Sequence, residues 1–259
     1  GVELSGSCVE FIGELVLRLL VACAAAGRAI GRWRAAKFGA APTQSIGVLE
    51  SAALGLVTLM LSFTFSAALD RYDARKALVV AEANTLSSAQ QWARMLPSPH
   101  AAVVDSLLGD YLRVRMSMDQ HAAGGLARIA DPTVAVQTRL WAEAVAANAL
   151  DPRSIPIGQF TQSLSHLIDI HEERLAAESN HVPEAVFLLL YALAGVALGF
   201  NGFRAGLGGD KSVTPSAIMV VLFATVIAQA QDLDRPQRGF IVVSQQPITN
   251  INAAADPAH

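Results

Sequence analysis

The 259-residue chain is 53% hydrophobic with a mean hydropathy of +0.39, and only 16% of its residues are charged, against about a quarter in ordinary soluble domains. A formal net charge of −3 gives no general attraction for nucleic acid. The only two cysteines, Cys8 and Cys23, exclude a disulfide framework and leave no Cys/His zinc spacing.

The first apolar segment is Phe11–Gly31. It contains Glu14 and Arg18, each of which would cost about 2.5–3.5 kcal/mol at a bilayer centre. They stand four residues apart, so they share a helix face and can pair. The segment is expected to span the membrane, with an interfacial amphipathic helix as the alternative. After a basic loop, RWRAAKFGAAPTQS, comes Ser51–Leu69, uncharged and long enough to cross a core that needs about 20 apolar residues. Nothing breaks the helix pattern after it. Leu78, Val79, Leu86, Ala89, Trp92 and Leu96 recur at helical spacing until Pro97 and Pro99, so one helix is expected from Ser51 to Leu96. At 1.5 Å per residue it would reach about 70 Å, a rigid link from lipid into water.

From Asp70 to His181 the pattern is water-compatible and helical throughout. A helix over HAAVVDSLLGDYLRVRMSMDQH is expected to break at Gly124 and Gly125. The next, DPTVAVQTRLWAEAVAANAL, opens with an Asp cap and a Pro in its first turn. DPRSIP separates it from IGQFTQSLSHLIDIHEERLAAESNH. His166 and His171 are five apart and point away from each other on a helix, so they cannot chelate one ion, and Glu172 and Glu173 read as a solvated face. Ala185–Phe203 and Val213–Gln231 are two further uncharged spans, opened by Pro183 and Pro215 and joined by the Gly-rich turn RAGLGGDKS.

The expected organisation is therefore an all-α membrane protein. Residues 1–69 form a first transmembrane hairpin, 70–182 a helical extramembrane domain, 183–231 a second hairpin, and 232–259 a juxtamembrane tail. Four crossings put the termini and the middle domain on one side. The positive-inside rule does not choose which side, because the six cations near the two short loops are matched by six near the opposite boundary. No nucleophile elbow, zincin, Walker A or dinucleotide motif occurs, so neither catalysis nor a cofactor is expected.

Two stretches carry a resemblance. SFTFSAALDRYDARKALVVAEAN and DLDRPQRGFIVVSQQP are similar to the paired signatures of the bacterial bestrophin-like family, in the same order and with a helical region between them. The likeness covers most of the chain after Ser45. More distantly the chain resembles the bestrophins, pentameric anion channels with four spans and a helical domain. The resemblance implies that architecture, a homo-oligomer (a pentamer by analogy), a multi-pass place in the cell membrane, and small anions as the conducted species. The acidic run of the bestrophin calcium clasp has only Asp232 and Asp234 as an echo, so calcium gating is not expected.

Two groups of residues follow from the pattern. Ser51, Gly55, Thr58, Ser62 and Ser66 lie on one face of the second apolar segment. Small residues there suit close helix packing, and hydroxyls there suit a pore lining in a homo-oligomer. Phe63 and Phe65 flank the stripe and could form an apolar constriction. Asp70, Arg71, Asp73 and Arg75 should share a membrane boundary with Asp232, Asp234 and Arg235, because two crossings separate them. Pairing across helices, as between Arg71 and Asp234, would dock the tail; the alternative is a vestibule that concentrates anions. Glu82 has no basic residue three or four positions away and is expected to face solvent, with pairing to a cation from another helix as the alternative. The two function readings are an oligomeric anion channel and a membrane-anchored helical interaction or sensing module without transport.

Overall fold

A computed structural model describes residues 3–39, 44–121, 132–210, 212–234 and 244–255. These form eight helices and, among the described residues, no strand: α1 (Glu3–Phe38), α2 (Gln44–Ala93), α3 (His100–His121), α4 (Pro132–Leu150), α5 (Ile155–Ser179), α6 (Glu184–Leu207), α7 (Thr214–Asp234) and α8 (Gln246–Ala255). The expected breaks at Gly124 and Gly125 and the Asp131 cap lie outside the described residues. The long helix is a single element of 50 residues. It starts seven residues before Ser51. It ends three residues before Leu96, where Met95 and Leu96 donate their amides to the carbonyls of Trp92 and Ala93 in a tighter turn.

The chain folds as two compact units, one of Tyr72–Asn180 with Val242–His259, the other of Glu3–Arg71 with His181–Ile241. The first unit is a helical bundle whose core positions alternate three and four residues apart. On α2 they are Val79, Glu82, Leu86, Ala89 and Ala93; on α5 they are Ile157, Phe160, Leu164, Leu167, His171 and Arg174. This spacing keeps one stripe of each helix turned toward its neighbours. Leu108 and Leu112 of α3, Leu140 of α4 and Ile248 of α8 complete that core. Between α4 and α5, the Asp151 side chain accepts the Arg153 amide, a turn closed by its own carboxylate.

The second unit holds the apolar helices. Three stretches are long and apolar enough to cross a membrane, lying in α2, in Ile155–Leu207 (the apolar part of which is α6) and in α7. α6 and α7 form the expected hairpin: Ser216 meets Asn201 near the turn and Gln231 meets Tyr191 near the other end. Gly209 turns the chain at φ +68°, a backbone conformation open to glycine.

The apolar helices are not clearly set apart as two hairpins, because α1 packs on α6. The close partner of α1 is α6, and the two run parallel. Gly27 of α1 meets Gly199 of α6, and Gly31 meets Phe203 and Gly206; a Cβ on Gly27, Gly31, Gly202 or Gly206 would overlap a backbone oxygen of the facing helix. Glycines at positions 27 and 31 and at 202 and 206 therefore let two backbones touch, which is how helices associate where no hydrophobic force separates lipid from Leu. The Glu14–Arg18 pair forms at 2.6 Å on the exposed side of α1.

Candidate functional site

The apolar stretch of α2 has two unlike faces. Val57, Thr64 and Ala68 are buried against the chain's own helices. Ser51, Gly55, Thr58, Ser62 and Ser66 are all exposed, and a Cβ on Gly55 would meet nothing within 4 Å. The stripe therefore does not serve packing within the chain. The Thr58 hydroxyl donates to the Leu54 carbonyl at 2.9 Å and Ser62 to the Thr58 carbonyl at 2.8 Å, so both lie flat along the helix and present their oxygens sideways. Phe63 and Phe65 flank this face on opposite sides. Phe63 is 64% exposed, whereas Phe65 packs against the cluster of Val182, Phe187 and Ala230.

Among the described residues, three buried carboxylates, Glu50, Asp234 and Glu82, hold separate elements together. In the unit with the spans, Glu50 of α2 is buried and accepts from Asn201 Nδ2 of α6 at 2.7 Å and from Arg204 Nε. Ser216 of α7 donates to Asn201 Oδ1 at 2.6 Å, so one network clasps α2, α6 and α7. Buried charge needs such partners, since an unpaired carboxylate would not stay ionised away from water. At the other end of the same helices, Asp234 accepts the Val182 amide at 2.9 Å just ahead of α6. That carboxylate satisfies a buried backbone amide in the link that precedes α6.

The third carboxylate is Glu82, in the bundle unit. It is fully buried and binds two cations and a phenol from other helices. Arg115 Nε of α3 lies 3.0 Å from one oxygen, Arg174 Nη1 of α5 donates to the other, and Tyr111 donates its hydroxyl at 2.6 Å. Burial pushes the carboxyl upward, but the guanidiniums of Arg115 and Arg174 and the hydrogen bonds from Tyr111 and Arg174 outweigh it and hold Glu82 below its ordinary 4.5. Burial and the adjacent carboxylate push the Tyr111 phenol well above its ordinary value. Glu82 therefore does not face solvent and takes its other expected place, against cations of other helices. Its partners come from other helices, which the absence of a local cation does not exclude.

The boundary charges are placed as follows. Asp70 and Asp73 are exposed; Arg71 donates to its own Ala67 carbonyl at 2.9 Å; Arg75, Asp232 and Asp234 are buried; Arg235 lies outside the described residues. Among the described residues Arg71 and Asp234 form no ion pair, because each has taken a backbone partner. Sequence reasoning passed over Glu50, Asn201 and the glycine interface. Spacing signals for two of these were present: four-residue glycine repeats in apolar segments, and a polar amide inside an otherwise uncharged span.

An all-helical chain with three stretches able to cross a bilayer, and a separately cored helical bundle, is a helical membrane protein in class. A family model described as the Bestrophin-like domain matches residues 19–248, and the chain belongs to the bestrophin-like family. No curated protein matches it. Among solved structures it is similar to a bacterial bestrophin homolog from Klebsiella pneumoniae, 17% identical, with 95% of this chain and 96% of that one covered at a TM-score of 0.67. Two single-substitution variants of that homolog give TM-scores of 0.69, one at 15% identity covering 96% and 97% of the two chains, the other at 18% covering 93% and 96%. At this identity the likeness is one of fold. The chain is a membrane protein of the bestrophin type.

Proposed function

We propose that this chain is one subunit of a homo-oligomeric channel for small anions in the cell membrane, with the exposed face of α2 lining the conduit. In this reading α1, α2, α6 and α7 all cross the membrane, two before the bundle in the chain and two after it, and copies assemble with their Ser51–Ser66 faces inward. The observation that carries it is the exposure of that face: a hydroxyl-bearing stripe along a membrane-crossing stretch, turned away from every other helix of its own chain. Hydroxyls along a pore replace part of an ion's hydration. A single chain has too few spans to enclose a pore, so the reading needs several copies, a pentamer by family analogy. Parallel packing of α1 on α6 supports four crossings, since α1 must follow α6 through whatever medium α6 crosses. Asp70 and Asp73, exposed where the apolar stretch ends, would meet water at the mouth.

The test is flux. The purified, folded oligomer is reconstituted into liposomes carrying a chloride-sensitive dye, and chloride or nitrate entry is followed. Dissipation of the gradient well above protein-free liposomes supports the channel. Its absence from a folded oligomer rejects conduction and leaves the helical bundle as a membrane-anchored interaction module.

A further inference from the structure

An open apolar groove of about 890 Å³ runs between α1 and α6. On α1 its wall is Leu19, Cys23, Gly27 and Ile30, and the same helix face continues at spacings of four and three to Arg34 and Lys37. The groove wall runs along α1 from Leu19 to Ile30, a rise of about 17 Å at 1.5 Å per residue, close to the half-thickness of a hydrocarbon core of about 30 Å. Arg34 and Lys37 then lie about 6–10 Å farther along the helix, at headgroup depth.

That end of α1 is built as a cationic ledge. Lys37 Nζ sits 5.2 Å from the Trp33 ring centre and 5.5 Å from that of Phe38, and the Arg34 guanidinium sits 5.8 Å from Phe38. Both rings are exposed, Trp33 at 60% and Phe38 at 66%, as aromatic side chains are at a membrane interface. Arg28, by contrast, is spent on the carbonyls of Asp210 and Ser212, and Arg204 on Glu50. Among the described residues no carboxylate pairs with Arg34 or Lys37.

We infer that this groove and ledge together bind an anionic phospholipid, one acyl chain lying along α1 and α6 and the phosphate on Arg34 and Lys37. An apolar slot of one-leaflet length that ends in two cations matches the two halves of such a molecule and no soluble anion. The inference rests on the membrane location of the chain and not on conduction, so it survives a failed flux assay.

The experiment is native mass spectrometry of the full chain in a neutral detergent, titrated with dioleoylphosphatidylglycerol, dioleoylphosphatidylcholine or glycerol phosphate. Phosphatidylglycerol is expected to bind more tightly than phosphatidylcholine, and glycerol phosphate not at all at concentrations that saturate with lipid. R34Q/K37Q should weaken phosphatidylglycerol about thirtyfold, at roughly fivefold per surface cation, and leave phosphatidylcholine unchanged. Ala192→Trp, which fills the groove from α6, should weaken both lipids; Ala192→Leu serves where the indole costs folding. Equal affinity for the two lipids, no effect of R34Q/K37Q, or glycerol phosphate binding as well as lipid would overturn the proposal. So would subunit-to-subunit crosslinking of Val196→Cys without lipid adducts, which would give the groove to a second copy.

Discussion

Removing the Glu82 carboxylate leaves Arg115 and Arg174 facing each other inside the bundle. The glutamate is 0% exposed and the two arginines 9% and 8%, so neither cation can reach water to recover its hydration. Breaking a buried pair from one side costs about 3–5 kcal/mol, because two cations lose the carboxylate they share away from water. In a chain of this size each kcal/mol moves the midpoint by about 2–4 °C, so Glu82→Ala should lower Tm by about 6–20 °C. The triple change E82L/R115M/R174M removes all three charges and fills similar volume, and it should recover most of the loss. Helical circular dichroism at 222 nm, followed with temperature in detergent at neutral pH, reads both. A Glu82→Ala variant within 2 °C of the parent, or a triple variant no better than the single one, would refute the reasoning.

The same carboxylate sets an acid limit. Folded Glu82 gives up its proton at lower pH than the unfolded side chain, so the native state binds fewer protons and stability falls as pH drops below 4.5 through the folded value; Glu82→Gln should flatten that limb of a Tm-against-pH curve. Gly202→Leu would drive a side chain into the Ala24 carbonyl, and α1 should detach at a cost of about 1–3 kcal/mol or more, read as new protease cleavage in α1. Gly13→Leu, on open space in the same helix, should leave the digest unchanged. Asp234→Ala strands the buried Val182 amide and should cost about 1–3 kcal/mol, with Asp234→Asn recovering part because its amide oxygen still accepts; thermal melts of the two compare directly.

Apolar length was legible because a bilayer demands about 20 uncharged residues, and Ser51–Leu69, Ala185–Phe203 and Val213–Gln231 meet that demand by themselves. Helix ends at Pro97, Pro132 and Pro183 were legible for the same local reason, the missing amide of proline. What escaped was pairing between helices. Glu82, Arg115 and Arg174 each stand in the core register of their own helix, and opposite charges in three core stripes are the signature of a buried cluster. Judged within α2 alone, Glu82 looked solvated, because partners 33 and 92 residues away leave no trace in a four-residue window. The α1–α6 contact escaped likewise: its glycines were visible, but a repeat names a sticky face and not its partner. Arg71 and Asp234 show the converse, two charges that topology placed near one boundary and that nearby backbone groups satisfied first.

Conduction by this chain requires the exposed face of α2 to meet passing anions. Thr58→Cys, made in a chain with Cys8 and Cys23 replaced by Ser, is recorded in a planar bilayer before and after a negatively charged methanethiosulfonate is added. A chloride current that falls on modification, and returns when a reducing agent removes the adduct, is the predicted result. A chloride current indifferent to the fixed negative charge at Thr58, or no current from the intact oligomer, would contradict it.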